Sequence, residues 1–196
     1  MKNKSVFFIS FLIFLLLSIG CEDSPIPKPH GYIRTDFPEK EYRDFAAYPF
    51  ACQIPTYSHI EKDSSRGAEK YWSNWQFPKF NATVYLSYKK IETPKQLTQY
   101  TEDTRKLAFK HIIKAEDIPE IVWQNKEHRV FGILYDIKGE VASQIQFYLT
   151  DSTTHFVRGA FYFNCRPNRD SLAPALHFLR EDINKMIETF RWKYEQ

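Results

Sequence analysis

Glycine is scarce in this chain, 6 residues in 196, and that scarcity removes several functions at once. A loop that wraps phosphate needs glycines so that backbone N–H groups approach the ligand, and no such loop occurs. The GxSxG elbow that exposes a nucleophilic serine is absent too. There are 3 cysteines and no CxxC pair, which removes the redox-pair reading and the common zinc frameworks. Among His30, His59, His111, His128, His155 and His177 there is no HExxH and no i, i+4 pair on one helix. Charged residues of both signs are interspersed, so no basic face marks a nucleic-acid partner. No internal repeat occurs, and after residue 20 no apolar run approaches the roughly 20 residues of a spanning helix. Nothing local supports an enzyme, a metal or a cofactor, and none is expected. A hydrolase assembled from dispersed carboxylates and histidines is the weakest of the readings that stay open.

What is present begins at the N-terminus. Lys2 and Lys4 form a basic n-region, residues 6–17 a nearly all-apolar h-region, and Ser18-Ile19-Gly20 a small-residue run into Cys21. That layout is a secretory signal peptide, too short to span. A cysteine directly after the cleavage region matches the bacterial lipobox, with Ser18 where an aliphatic residue is usual. Cys21 is therefore expected to be acylated, its diacylglycerol and amide-linked chains meeting the two-signal requirement for stable anchoring. Residues 22–31, EDSPIPKPHG, read as a proline-rich, semi-extended tether. The expected organisation is a signal over 1–20, a lipidated tether over 21–31, and one globular domain over 32–196, large enough for a real core. Loss of Lys2 and Lys4 with the leader lowers the net charge from +3 to about +1. Cys52 and Cys165 remain, to be bridged in an oxidising compartment or kept as two inert thiols.

Along the domain, residues 48–54 are a candidate strand, and the polar stretch 56–70 reads as loop. Phe80, Ala82, Val84, Leu86 and Tyr88 alternate, predicting a strand over 79–91. Thr93, Pro94 and Gln96 form a capping box that starts a helix running to about residue 113. Strands follow near 119–124, 130–137 and 140–150, with Lys138-Gly139 as a tight turn between the last two. Another strand covers 155–164. Leu172, Leu176, Leu179, Ile183, Met186 and Phe190 recur at helical spacing, predicting a helix over 171–191 with Asp170 as its cap and Pro174 in its first turn. The fold class that results is α+β, a mainly antiparallel sheet packed against two main helices.

Three segments are candidate interaction surfaces. Tyr71, Trp72, Trp75 and Phe77 form an aromatic cluster that either covers one end of the sheet or binds a partner, since Trp and Tyr dominate interface hot spots. Tyr32 and Arg34 stand where the tether meets the domain. Arg166 and Arg169 flank a helix start able to receive an anion, against the plainer reading of two solvated arginines. A pocket between sheet and helices would instead suit a small-ligand carrier.

PKPHGYIRTDFP (residues 27–38), YPF with the following IP (48–55), NWQFPKFNATVYLSYK (74–89) and GAFYFNCRPNRDSLAPALHF (159–178) together resemble the gliding-motility lipoproteins of the GldD family of Bacteroidetes, over nearly the whole chain. The resemblance implies a non-catalytic envelope lipoprotein required for gliding and bound up with type IX secretion. Its partners would be the membrane, through Cys21, and other gliding and secretion proteins, at the outer membrane facing the periplasm, with the cell surface as alternative. Cys21 is the one residue to which the family gives a defined role. The order of strands and helices also resembles PsbP-like sandwiches at the level of fold. Ser152 and Ser171 each follow an aspartate in a short pattern that resembles O-glycosylation sites of that phylum.

Overall fold

The computed structural model describes residues 36–194, which lie in a compact unit of residues 33–196. The expected signal peptide and tether, with Cys21, Tyr32 and Arg34, fall outside the described residues. The strands are β1 (Tyr42–Phe45), β2 (Phe50–Pro55), β3 (His59–Lys62), β4 (Ser73–Phe77), β5 (Ala82–Lys90), β6 (Ala115–Asp117), β7 (Glu120–Asn125), β8 (Val130–Asp136), β9 (Lys138–Gly139), β10 (Ile145–Thr150), β11 (His155–Phe163) and β12 (Arg191–Trp192). Helix α1 (Pro94–Phe109) follows β5, and α2 (Arg169–Glu188) follows β11.

Seven strands form one sheet in the order β3-β4-β5-β11-β10-β8-β7, every neighbouring pair antiparallel. Its middle is the nine-residue pair β5 and β11, in which Ala82 faces Phe163 and Lys90 faces His155. Period-2 alternation sends Val84, Leu86, Val157 and Phe161 to one face, where α2 and a second sheet, β1-β2-β12, close the main core. Each fully buried large side chain there, such as Ile54, Phe147 or Phe161, contributes about 1.5–3 kcal/mol by leaving water. Gly159 lies opposite Phe147, and a Cβ at 159 would stand 2.1 Å from the ring, so glycine is what lets the ring cross the strand. On the other face α1 lies over β10 and β11, with Tyr100 at 5.5 Å from Phe156. Ala108, Tyr135, Ile137 and Val141 form a smaller core beneath its last turn. The expected α+β architecture is the observed one: an antiparallel sheet with a helix on each face.

Several local expectations need correction. Residues 56–70 contain β3 and are not simply loop. The aromatic cluster contains β4, where Ser73, Trp75 and Phe77 point inward and Asn74 and Gln76 outward. Helix α1 stops at Phe109 because residues 110–114 wind into a turn. Lys138-Gly139 is not a two-residue hairpin turn. Gly139, at φ +108°, pairs with Ala115, and a Cβ there would stand 2.7 Å from the Lys114 carbonyl. The connection from β8 to β10 instead loops through Val141 and closes with Ile137 N–H donating to the Gln144 carbonyl. Asn168, not Asp170, caps α2, its Oδ1 accepting from Ser171 N–H at 3.1 Å. Pro174 sits in the second turn, and α2 gives way to β12 before residue 191.

Candidate functional site

The sequence patch does not survive folding as a patch. Trp75 and Phe77 are core residues, 2% and 3% exposed, because β4 turns its odd positions inward. Tyr71 is half-buried at φ +69° and packs on Tyr48 at 5.4 Å and Tyr88 at 5.5 Å. Trp72 is half-buried, its Nε1 donating to the Tyr88 carbonyl at 2.9 Å, with Lys89 over its ring. In this cluster only Tyr71 and Trp72 keep appreciable exposed surface. Cys52 is buried in β2 and Cys165 is exposed after β11, both free, so the bridge left open by the sequence is not formed. Burial pushes the Cys52 thiol far above its ordinary value, which makes it inert. Arg169 is held by Glu116 at 2.6 and 2.9 Å, so it and Arg166 do not converge on an anion.

What sequence reasoning missed is a carboxylate hub on α2. Asp182 is 1% exposed and lies between the main core and the first described residues. Its Oδ1 accepts from Lys40 Nζ at 2.7 Å and from Tyr42 Oη at 2.9 Å, and its Oδ2 from Tyr57 Oη. Lys40 also donates to the Phe178 carbonyl at 2.6 Å and lies over that ring. Burial first, and then the bond to Asp182, raise both tyrosine hydroxyls well above their usual range, so they act as donors. The arrangement pins the chain entering the domain to α2.

The best-formed cavity, about 310 Å³, opens between α2 and the β7–β8–β10 end of the sheet. Its walls are Ile121, Trp123, Leu134, Phe147, Leu149 and Ile187, apolar because β8 and β10 turn their core faces towards α2. At its polar end Asp136 pairs with Arg180 Nη2 at 2.7 Å and with Lys138. The Trp123 Nε1 hydrogen is buried without an acceptor. The site combines an apolar body with a polar end in which Arg180 is paired to Asp136 and Glu188 adds a second carboxylate. It lies beside β7, an edge strand with no further neighbour among the described residues.

Among the described residues the histidines stay dispersed. His59, His128 and His177 are exposed. His155 is buried, bonded to Tyr88 Oη at 2.9 Å and stacked on Trp192. Burial, and then the Arg158 charge, lower the pKa of His111. Among the described residues no three His, Cys, Asp or Glu side chains are placed to hold a metal ion, and no helix is long and apolar enough to cross a membrane. Ser152 is exposed in a tight turn at φ +69°, and Ser171 is exposed in the first turn of α2.

No curated protein matches the chain. The chain is similar to the solution structure of the cyanobacterial PsbP protein (CyanoP) of Synechocystis sp. PCC 6803, with a TM-score of 0.49 and 8% identity over 86% of this chain and 99% of that one. The family model that matches is described as gliding motility lipoprotein GldD and covers residues 22–192. The chain belongs to the gliding motility lipoprotein GldD family.

Proposed function

We propose that the protein is a non-catalytic, lipid-anchored accessory of the gliding and type IX secretion apparatus, holding partner proteins close to the membrane. Family membership over residues 22–192, beginning directly after Cys21, carries this reading. In it, residues 1–20 are removed, Cys21 is acylated, residues 21–31 are the tether and the domain from residue 32 stands at the outer membrane on the periplasmic side. Confinement to a surface raises effective concentration, so modest contacts with envelope partners suffice. The edge strand β7 and the cavity beside it are the surface best suited to them, with Tyr71 and Trp72 as secondary contacts.

Colony spreading of a deletion strain tests the role. Complementation by the wild-type chain and not by Cys21→Ala is the expected outcome. Normal spreading without the gene refutes it.

The apolar cavity lined by Ile121, Trp123, Leu134, Phe147 and Leu149 favours one second reading, a carrier of a small apolar ligand. Leu149→Trp fills that cavity. If it abolishes spreading while the protein stays folded and keeps its envelope partners, the carrier reading displaces the scaffold.

A further inference from the structure

One end of the seven-stranded sheet gathers features that the function above leaves unused. The start of β5 lies opposite the end of β11, and the start of β10 opposite the end of β8. These four termini define that end. Strand β9, just past β8, pairs with β6, which holds the turn after α1 at the same place. In that turn Ile112 is 60% exposed and Ile113 is 91% exposed. Successive bonds from Ile112 N–H to the Phe109 carbonyl and from Lys114 and Ala115 N–H to the His111 carbonyl fix its shape. Two adjacent isoleucines held out into water on a rigid turn are an apolar tip, unlike a single scattered surface residue.

Cations surround it. Lys110 and Lys114 flank the tip, and Lys114 shares an open concavity with Arg166. None of the three is in an ion pair among the described residues. Of the nearby carboxylates, Glu116 is held by Arg169 and Asp117 accepts from Ile118 N–H, leaving Glu140 as the acidic group in that concavity. The chain also enters the domain here: Phe37 stacks at 4.7 Å on Phe178 and lies 6.0 Å from Phe80, two residues before β5 begins. Between Cys21 and Asp36 the backbone spans at most about 50 Å.

We propose that Ile112 and Ile113 form a second membrane contact, entering the interfacial layer of an anionic bilayer while Lys110, Lys114 and Arg166 meet its headgroup phosphates. Apolar tips ringed by long cationic side chains suit that layer, where the charged heads stay among the phosphates. The domain then stands on the membrane with its tether end down and presents the opposite end to the envelope. This inference rests on the lipid anchor at Cys21, which brings the tip within reach.

The test uses the full lipidated chain carrying Ile113→Cys in a Cys165→Ser background, Cys52 being buried. It is labelled with nitrobenzoxadiazole and floated with vesicles of phosphatidylethanolamine and phosphatidylglycerol. The expected result is a blue-shifted emission, quenched by doxyl-labelled lipid and returned to its value in water by Lys110→Glu with Lys114→Glu. A control label at His128→Cys, at the far end of the sheet, stays in water. A label at 113 that remains in water while the protein floats overturns the membrane contact and leaves the anchor standing. Equal insertion at both positions overturns the orientation, and a protein that does not float overturns anchor and contact together.

Discussion

At the scale of single residues, Asp182 and Asp151 show two ways to bury a carboxylate. Asp182 is satisfied by side chains from distant parts of the chain, Lys40, Tyr42 and Tyr57, so nothing local in the sequence marks it. Asp182→Ala leaves three donors facing an empty acceptor site. It should cost about 3 kcal/mol, read as a lower urea midpoint. Tyr57→Phe removes one hydrogen bond to that carboxylate and should cost about 1.5 kcal/mol. Asp151 is satisfied locally, its Oδ1 accepting from the N–H groups of Thr153, Thr154 and His155. Burial alone would raise its carboxyl, but these bonds and the Thr153 hydroxyl hold it below its ordinary 3.8. A carboxyl depressed in the folded state adds stability that is present above 3.8 and is lost as pH falls through the folded value. The urea midpoint of the wild type should therefore fall on acidification below about pH 4, and that of Asp151→Asn should fall less.

At the scale of elements, legibility followed locality. The capping box of α1 was visible because Thr93, Pro94 and Gln96 act within four residues. The structure has Thr93 Oγ1 accepting from Gln96 N–H at 3.3 Å and Gln96 Oε1 accepting from Thr93 N–H at 3.1 Å. Thr93→Ala should cost about 1 kcal/mol, measured by thermal melting. The long strands β5 and β11 and the stripe of α2 were equally plain, since their periods run over many residues. Strand β3 was not: HIEK carries no alternation, and it is a strand because β4 offers it an edge. Strand β4 was half legible, since Trp75 and Phe77 alternate with Asn74 and Gln76. Aromatic composition drew attention to contact, whereas the pleat decided burial. The cap of α2 was misplaced because Asn168 and Asp170 are both good capping residues, and only the backbone distinguishes them.

At the scale of the whole molecule, the two sheets are joined at a point that no local pattern announces. Trp192, 6% exposed, extends β12 along β2, stacks on His155 of β11 at 5.1 Å and donates from Nε1 to the Arg129 carbonyl in the β7–β8 turn. Trp192→Ala should cost about 3–5 kcal/mol and lower the urea midpoint more than Asp182→Ala, Tyr57→Phe or Thr93→Ala. The candidate site was the least legible part. Its cavity gathers Ile121 and Trp123 of β7, Leu134 of β8, Phe147 and Leu149 of β10 and Ile187 of α2, each of which reads in sequence as ordinary core. By itself the sequence determined the fold class, the capping of α1, the core stripe of α2, the lipobox-like Cys21 and the family resemblance, because each depends on spacings of a few residues or on contiguous segments. The tertiary structure alone decided that Trp75 and Phe77 are buried, that Cys52 and Cys165 stay apart, that Asp182 ties the entering chain to α2, and that Ile112 and Ile113 stand out into water. Those outcomes depend on pairing between residues far apart in the chain, and contacts across such separations are fixed by how strands register and layers pack.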